Sequence, residues 1–366
     1  MKIQISDHWK LRLKPWVDAG NEVRRSRFFW IYLALVLGFG IAVNVIARIY
    51  DAGFTLSSVL YSRPLHGALF MFTCLFLSGR LLYITLAIRP PRPLTEFIYE
   101  LKTVWFNPRR IVTGLSVMLF IPLFFSFFTS AKNLIPFVNP FSWDPAFAEL
   151  DRMIHFGKQP WEWLHPLLKA AIITSLISFI YKLWFFSKYM VVFWQAFSLK
   201  RPNLRAQFLI TMILAWILNG FILATIFSSA GPCYFGHFYP DLPNPYAGLM
   251  DFLRNSHETA QVFDLWAMDY LITAYNEKKT NLFSGISAFP SMHVSVAFLN
   301  MLLGWRISKA WGWFFTVYLG FIIVGSVHIG WHYAVDGYTS IITTFILWKI
   351  VGMFYPKDTI EEEKHV

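Results

Sequence analysis

Charge is scarce in this chain. Only 14% of its 366 residues are Asp, Glu, Lys or Arg, against 56% hydrophobic and 19% aromatic. A soluble domain of this length could not bury so much apolar surface, so lipid is the expected solvent. Cysteine is scarcer still. Cys74 lies inside an apolar run and Cys233 in a loop, which excludes a disulfide framework, and no Cys-x-x-Cys pair offers a metal site. No internal repeat or low-complexity tract is present. Acidic residues are outnumbered by basic ones, 21 to 32, for a net charge of +11. In a soluble protein that excess would suggest nucleic acid; here the placement of the basic residues argues against it.

A helix crosses a bilayer with about 20 mostly apolar residues. Eight stretches qualify: 28–49, 65–88, 111–130, 168–197, 206–228, 292–306, 311–330 and 333–354. The sixth is short and the fourth long. This pattern predicts an all-α, polytopic membrane protein of about eight transmembrane helices. Residues 28–354 form one transmembrane domain, flanked by a cytoplasmic N-terminal segment, 1–27, and a cytoplasmic tail, 355–366. The N-terminal stretch is long for a signal peptide and no small-residue cleavage site follows the first apolar run, so that span is expected to be retained.

Lys and Arg fall unevenly between the loops. Twenty lie on the side holding 1–27, 89–110, 198–205, 305–310 and the C-terminal end, seven lie on the other side, and five lie within spans. The positive-inside rule then places both termini in the cytoplasm and the loops 131–166 and 229–290 outside. Both outer loops are rich in Trp, Tyr and Phe, as in "FSWDPAF" and "CYFGHFYPDLPNPY", which suits the headgroup level. Residues 257–274 carry Val262, Leu265, Trp266 and Tyr270 at helical spacing. They predict one amphipathic helix on the outer surface, either a lid over the site or ordinary loop packing.

Ionisable residues gather at span ends. "AFPSMHVSVAF" puts His293 at the outer start of the sixth span, and "GSVHIGWHYAVDGY" puts His328, His332 and Asp336 where the seventh span gives way to the eighth. "FSSAGP", 227–232, closes the fifth span on the same side. Alternating topology therefore brings three distant segments to one depth, where ionisable groups indicate function. His332 and Asp336, four apart, share a helix face. A carboxylate beside an imidazole fixes its tautomer and leaves the other ring nitrogen as a nucleophile. His293 follows Pro290 and Ser291 at a helix start, where backbone N–H groups favour a phosphate and Ser291 adds a hydroxyl. A protonated His293 beside a phosphate is placed to act as general acid. Together these residues suggest phosphoryl transfer through a phosphohistidine, with no metal and no cofactor. A second reading is metal binding by His328, His332 and Asp336, which recur at four-residue intervals. A third is a transporter lined by Arg80, Lys169 and Lys182, which lie at different depths with no acids evident to pair them.

"FPSMH" followed by "HYAVD" resembles the type 2 phosphatidic acid phosphatase superfamily. The closest likeness is to its branch of inositol phosphorylceramide synthase, sphingomyelin synthases and bacterial relatives. The resemblance covers about 200–350, and "SSAGP" at 228–232 is similar to the bacterial members. It implies that His332 accepts the phosphoryl group, Asp336 supports it, His293 protonates the leaving group and Ser291 contacts the phosphate. It implies a lipid phosphate or phospholipid substrate at the outer leaflet, handled by a lipid phosphatase or by a phosphotransferase moving a phospho-headgroup between lipids. A bacterial inner membrane with a periplasmic active site follows from the same likeness. The superfamily's first motif is missing: "KRP" at 200–202 lacks the spacing and lies on the cytoplasmic side. Ser326 stands where arginine is expected, and "PSGH" has become "PSMH". With two cationic phosphate ligands absent, His328, Arg254, Arg152 and Lys158 are the candidate replacements, and a phosphodiester donor is favoured.

Overall fold

The computed structural model describes residues 2–358, so most of the expected C-terminal tail lies outside the described residues. Among the described residues the chain is all-helical, 78% helix with no strand. Helix α1 (Lys2–Arg25) shows that the polar N-terminal segment is itself helical, and it packs along α5. The chain continues through α2 (Arg27–Ile49), α3 (Ser62–Tyr83), α4 (Pro93–Glu100), α5 (Pro108–Met118) and α6 (Ile121–Val138). Two helices of the loop between the third and fourth spans follow, α7 (Asp144–Ile154) and α8 (Pro160–Leu168). Next come α9 (Ala171–Phe197), α10 (Pro202–Ile217) and the short α11 (Ala224–Ile226). A second group of loop helices comprises α12 (Phe235–Phe238), α13 (Ala247–Thr259) and α14 (Phe263–Asn276). The C-terminal bundle is α15 (Met292–Ile307), α16 (Lys309–His328) and α17 (Ala334–Phe354).

Seven helical stretches are long and apolar enough to cross a membrane, and Met292–Ile307 is a shorter apolar eighth. They correspond one for one to the eight stretches read from the sequence. The largest difference is the third, which runs from Pro108 to Val138 rather than 111–130. It bends at Leu119–Phe120, between α5 and α6, and continues past the expected boundary because Lys132 and Asn133 are carried inside helix α6. Prolines begin α4, α5, α8 and α10, where a missing N–H costs nothing.

The expected single helix over 257–274 is two helices. Ala260 is extended and ends α13, and the Val262 N–H donates to Nδ1 of His257 at 3.0 Å. Asp264 explains the break's direction. Its carboxylate is fully buried and accepts from Ser178 Oγ and Trp331 Nε1, each at 2.7 Å, while Lys182 Nζ lies 2.7 Å away. Helix α14 is thus held to α9 and to the loop before α17. Two of the lone intramembrane cations of the transporter reading are in fact paired, Lys182 with Asp264 and Arg80 with Glu100 through two bonds. The partners were hidden because each acid lies on another helix, Glu100 20 residues after Arg80 and Asp264 on α14, far along the chain from Lys182 on α9.

Helices α15 and α16 form a tight antiparallel hairpin. Ser308 caps α16 by accepting from the Trp311 N–H. A Cβ built on Gly304 would lie 2.7 Å from the Trp311 carbonyl oxygen, and backbone cannot retreat as a side chain can. Gly304→Ala should therefore lower the thermal unfolding temperature in detergent micelles, by the roughly 1–3 kcal/mol of an overpacked contact. Gly320→Ala on α16, where nothing lies within 4 Å, is the matched control and should not.

Candidate active site

Residues 228–232 form a hub. The Ser229 carbonyl accepts from Ala288 N at 3.0 Å and its hydroxyl from Phe289 N at 3.2 Å, which ties the hub to the segment leading into α15. Cys233 N donates to Gly330 O at 2.9 Å, which ties it to the turn before His332. Gly231 has φ +102°, and a Cβ there would meet the Trp331 carbonyl oxygen at 2.8 Å, so only glycine fits. The three segments that alternating topology brings to one depth are therefore stitched together by backbone.

Two buried aspartates of α7 complete the frame, and sequence reasoning missed both. Asp144 accepts from the backbone of Ala230 at 2.9 Å and Gly231 at 2.7 Å, and from the hydroxyls of Tyr239 at 3.0 Å and Tyr333 at 2.8 Å. Asp151 accepts from Ala334 N at 2.7 Å and Val335 N at 3.0 Å, the first free donors of α17. A carboxylate at a helix N-terminus is favoured by the helix dipole as well as by the bonds. Their signal in the sequence was spacing: seven residues apart, they lie on one face of a helix.

On this frame His332 and Asp336 meet. His332 Nδ1 lies 3.1 Å from Asp336 Oδ2, which also accepts from Tyr333 N at 3.1 Å. The second oxygen, Oδ1, is buried without a partner among the described residues. Burial pulls the His332 imidazole down to about 3; the Ala288 carbonyl opposes this and the charge of Lys132 adds to it. A neutral ring that donates from Nδ1 to Asp336 leaves the Nε2 lone pair free. His332 N and Trp331 N both donate to the Ser326 carbonyl, so the residue standing in for arginine positions this turn through its backbone.

The His293 ring faces His332 with centroids 5.8 Å apart. It stacks on Tyr181 at 4.6 Å and packs on Trp184 at 4.1 Å, while Trp184 Nε1 donates to the His293 carbonyl. Ser291 caps α15, its hydroxyl accepting from Val294 N at 3.3 Å, and its own N–H donates to the Asp336 carbonyl. Helices α15 and α17 thus begin side by side.

The other candidates lie elsewhere. Gly330, at φ +81°, breaks the chain between α16 and α17, so His328 does not continue the face of His332 and Asp336. The His328 Nε2 sits 3.0 Å from Thr174 Oγ1 and its ring is against His165. Among the described residues no group of three or more His, Cys, Asp or Glu could hold a metal ion. Arg152 makes a two-bond pair with Glu149 on the exposed side of α7, Arg254 lies 3.7 Å from Asp251 on exposed α13, and Lys158 sits over the Trp163 ring. None of these three cations is joined to the histidines.

A family model described as the PAP2 superfamily matches residues 145–350. The chain belongs to the PAP2 superfamily. No curated protein and no solved structure matches it. The PAP2 match begins inside α7 and so takes in Asp151, well before the start at about residue 200 read from the motifs. Membership supports an enzyme of the phosphatase or phosphotransferase type. The likeness to the sphingolipid-synthase branch rests on the motifs alone.

Burial raises the Asp151 carboxyl to about 6, and the two α17 donors only partly offset it. A carboxyl raised on folding binds its proton more tightly in the native state. Its contribution to stability is full below its unfolded value near 4 and is lost as pH rises through 6. Thermal unfolding followed from pH 4 to 7 should show that decline in the wild type and a flatter profile in Asp151→Asn.

Proposed function

We propose that this PAP2 protein is an integral-membrane lipid phosphatase or phosphotransferase that works at the outer leaflet through a phosphohistidine. The observation that carries the reading is the pairing of His332 with Asp336, facing His293 across 5.8 Å in one buried site. His332 Nε2 attacks phosphorus while Nδ1–H is held by Asp336. The bond from phosphorus to the leaving oxygen breaks, and His293 gives that oxygen its proton. His293 then takes a proton from water or an acceptor alcohol, which attacks the phosphohistidine and frees His332. Water makes the enzyme a phosphatase; an alcohol makes it a headgroup transferase of the sphingolipid-synthase kind.

A lipid substrate is supported by an apolar cavity of about 190 Å³ lined by Leu69, Phe72, Ile121, Tyr189, Val192 and Phe283 among others. Phe283 packs on Phe185 at 5.3 Å, and Phe185 meets the His293 ring edge-on at 6.1 Å. An acyl chain in the cavity would lead its headgroup towards the histidines.

Purified protein should release phosphate or headgroup from a panel of lipid donors, and His332→Ala should abolish this for every donor. General-acid help is worth about 10²–10⁴-fold. His293→Ala should lose that much on a lipid, whose alkoxide needs a proton to leave, and far less on an aryl phosphate, whose phenolate does not. Equal losses on both donors would remove His293 from the role of acid. Asp336→Asn should slow both. Orientation has its own check. Asn255 is exposed on α13, and Asn255→Cys, with Cys74 and Cys233 replaced, should react with an impermeant thiol reagent on intact cells. Labelling only after permeabilisation would put the histidines on the cytoplasmic side.

A further inference from the structure

A phosphate bound between His293 and His332 brings negative charge into a buried site that already holds Asp336. Some cation has to offset it. Arg152 and Arg254 sit beside local acids on exposed helices, and Lys182 is committed to Asp264. Lys188 is almost fully buried, with its ammonium 4.2–5.5 Å from the ring centroids of Phe125, Trp184, Phe185, Tyr189 and Trp216. That aromatic box already satisfies it.

Lys132 differs from all of these. It sits on α6, outside the part of the chain matched to the family. It forms no ion pair or hydrogen bond among the described residues. Its stem lies against Gly285, where an added Cβ would meet Lys132 Cγ at 2.9 Å. The next residue, Asn133, donates to Ser284 Oγ at 2.9 Å and fastens α6 to the strand of loop leading to Ala288 and Ser291. The segment it packs on runs from Ser284 through Ala288, whose N–H donates to the Ser229 carbonyl of the hub at 3.0 Å, to Ser291, which caps α15 two residues before His293. We infer that Lys132 is the phosphate ligand of this site, an uncommitted ammonium whose stem is held by the α6–Gly285 contact on the segment that leads to His293, available to a phosphate-bearing anion.

This inference rests on the phosphoryl-transfer reading above, and its test separates the two. The probes are inorganic phosphate and orthovanadate, read by tryptophan fluorescence, since Trp184 and Trp331 border the site. Dioleoyl phosphatidic acid in detergent micelles and the chromogenic diester bis(p-nitrophenyl) phosphate complete the set. Losing one charge-assisted contact should weaken binding about 10- to 100-fold. Lys132→Met should therefore raise Kd for phosphate and vanadate and KM for the diester by that factor, with a smaller change in kcat. Lys132→Arg should restore most of the loss. Tighter binding of phosphatidic acid than of inorganic phosphate, with both weakened in Lys132→Met, would assign the site to a lipid headgroup; the reverse order would assign it to free phosphate.

A structural role alone would lower the unfolding temperature without a selective rise in KM, and arginine would not rescue it. If Lys132→Met does not fold, Lys132→Gln takes its place. Wild-type turnover and binding that persist unchanged in a folded Lys132 variant would overturn the inference and leave the phosphoryl-transfer reading standing. A wild type that binds neither anion and turns over no donor would overturn both.

Discussion

A carboxylate that accepts four hydrogen bonds holds this structure's working end together. Asp144 is fully buried, in a protein whose surroundings are lipid and packed apolar side chains. An isolated carboxylate there would be strongly disfavoured, so its position requires that its donors stay in place. Those donors come from the hub after α11, from the loop before α13 and from the residue after His332. Segments far apart in sequence are fixed by one group's need for satisfaction. Asp151, about two turns along the same face of α7, does the same for the first turn of α17 and hence for Asp336. The geometry of His332 and Asp336 is inherited from this frame and does not arise from their own contact, which is one hydrogen bond of 3.1 Å.

Much of the architecture was legible because the bilayer imposes a length on every span and the positive-inside rule imposes a direction. Those two constraints are enough to gather "FSSAGP", "PSMH" and "HYAVD" at one depth. The parts that escaped depend on side-chain partners. Asp144 and Asp151 sat in what reads as an aromatic outer loop, and only a helical reading of 144–154 puts them on one face. The helix over 257–274 has an apolar period that continues across Ala260, yet the backbone breaks there and Asp264, not Trp266, faces inward. Trp266 is 73% exposed, stacked on Tyr270. Periodicity reports which residues prefer lipid or core; it cannot report that a buried acid is wanted by a lysine on another helix.

Lys132 was obscured for a related reason. A lysine at the end of an apolar run reads as the start of a loop, because its charge is costly in hydrocarbon. In the structure α6 runs six residues further, to Val138, and carries Lys132 within it. The long aliphatic stem allows this, since it packs against Gly285. An exposed loop lysine would be screened by water and salt, whereas one held at a buried site keeps its field.

Burial cost also favours span ends for the proposed reactive groups. Deep in the bundle, an imidazole and a carboxylate would both prefer their neutral forms, and a departing lipid alkoxide would have no route to water. At the headgroup level the loops 131–166 and 229–290 supply backbone donors, tyrosine hydroxyls and fixed acids, while aromatic rings still shield the site from bulk solvent. His293 illustrates the balance. Its ring is packed on Tyr181 and Trp184, and its nitrogens make no hydrogen bond among the described residues, so its preferred protonation depends on what enters the site. A phosphate anion arriving between the rings would favour a proton on His293. In the proposed reaction the substrate's own charge would therefore help to create the acid that releases its leaving group.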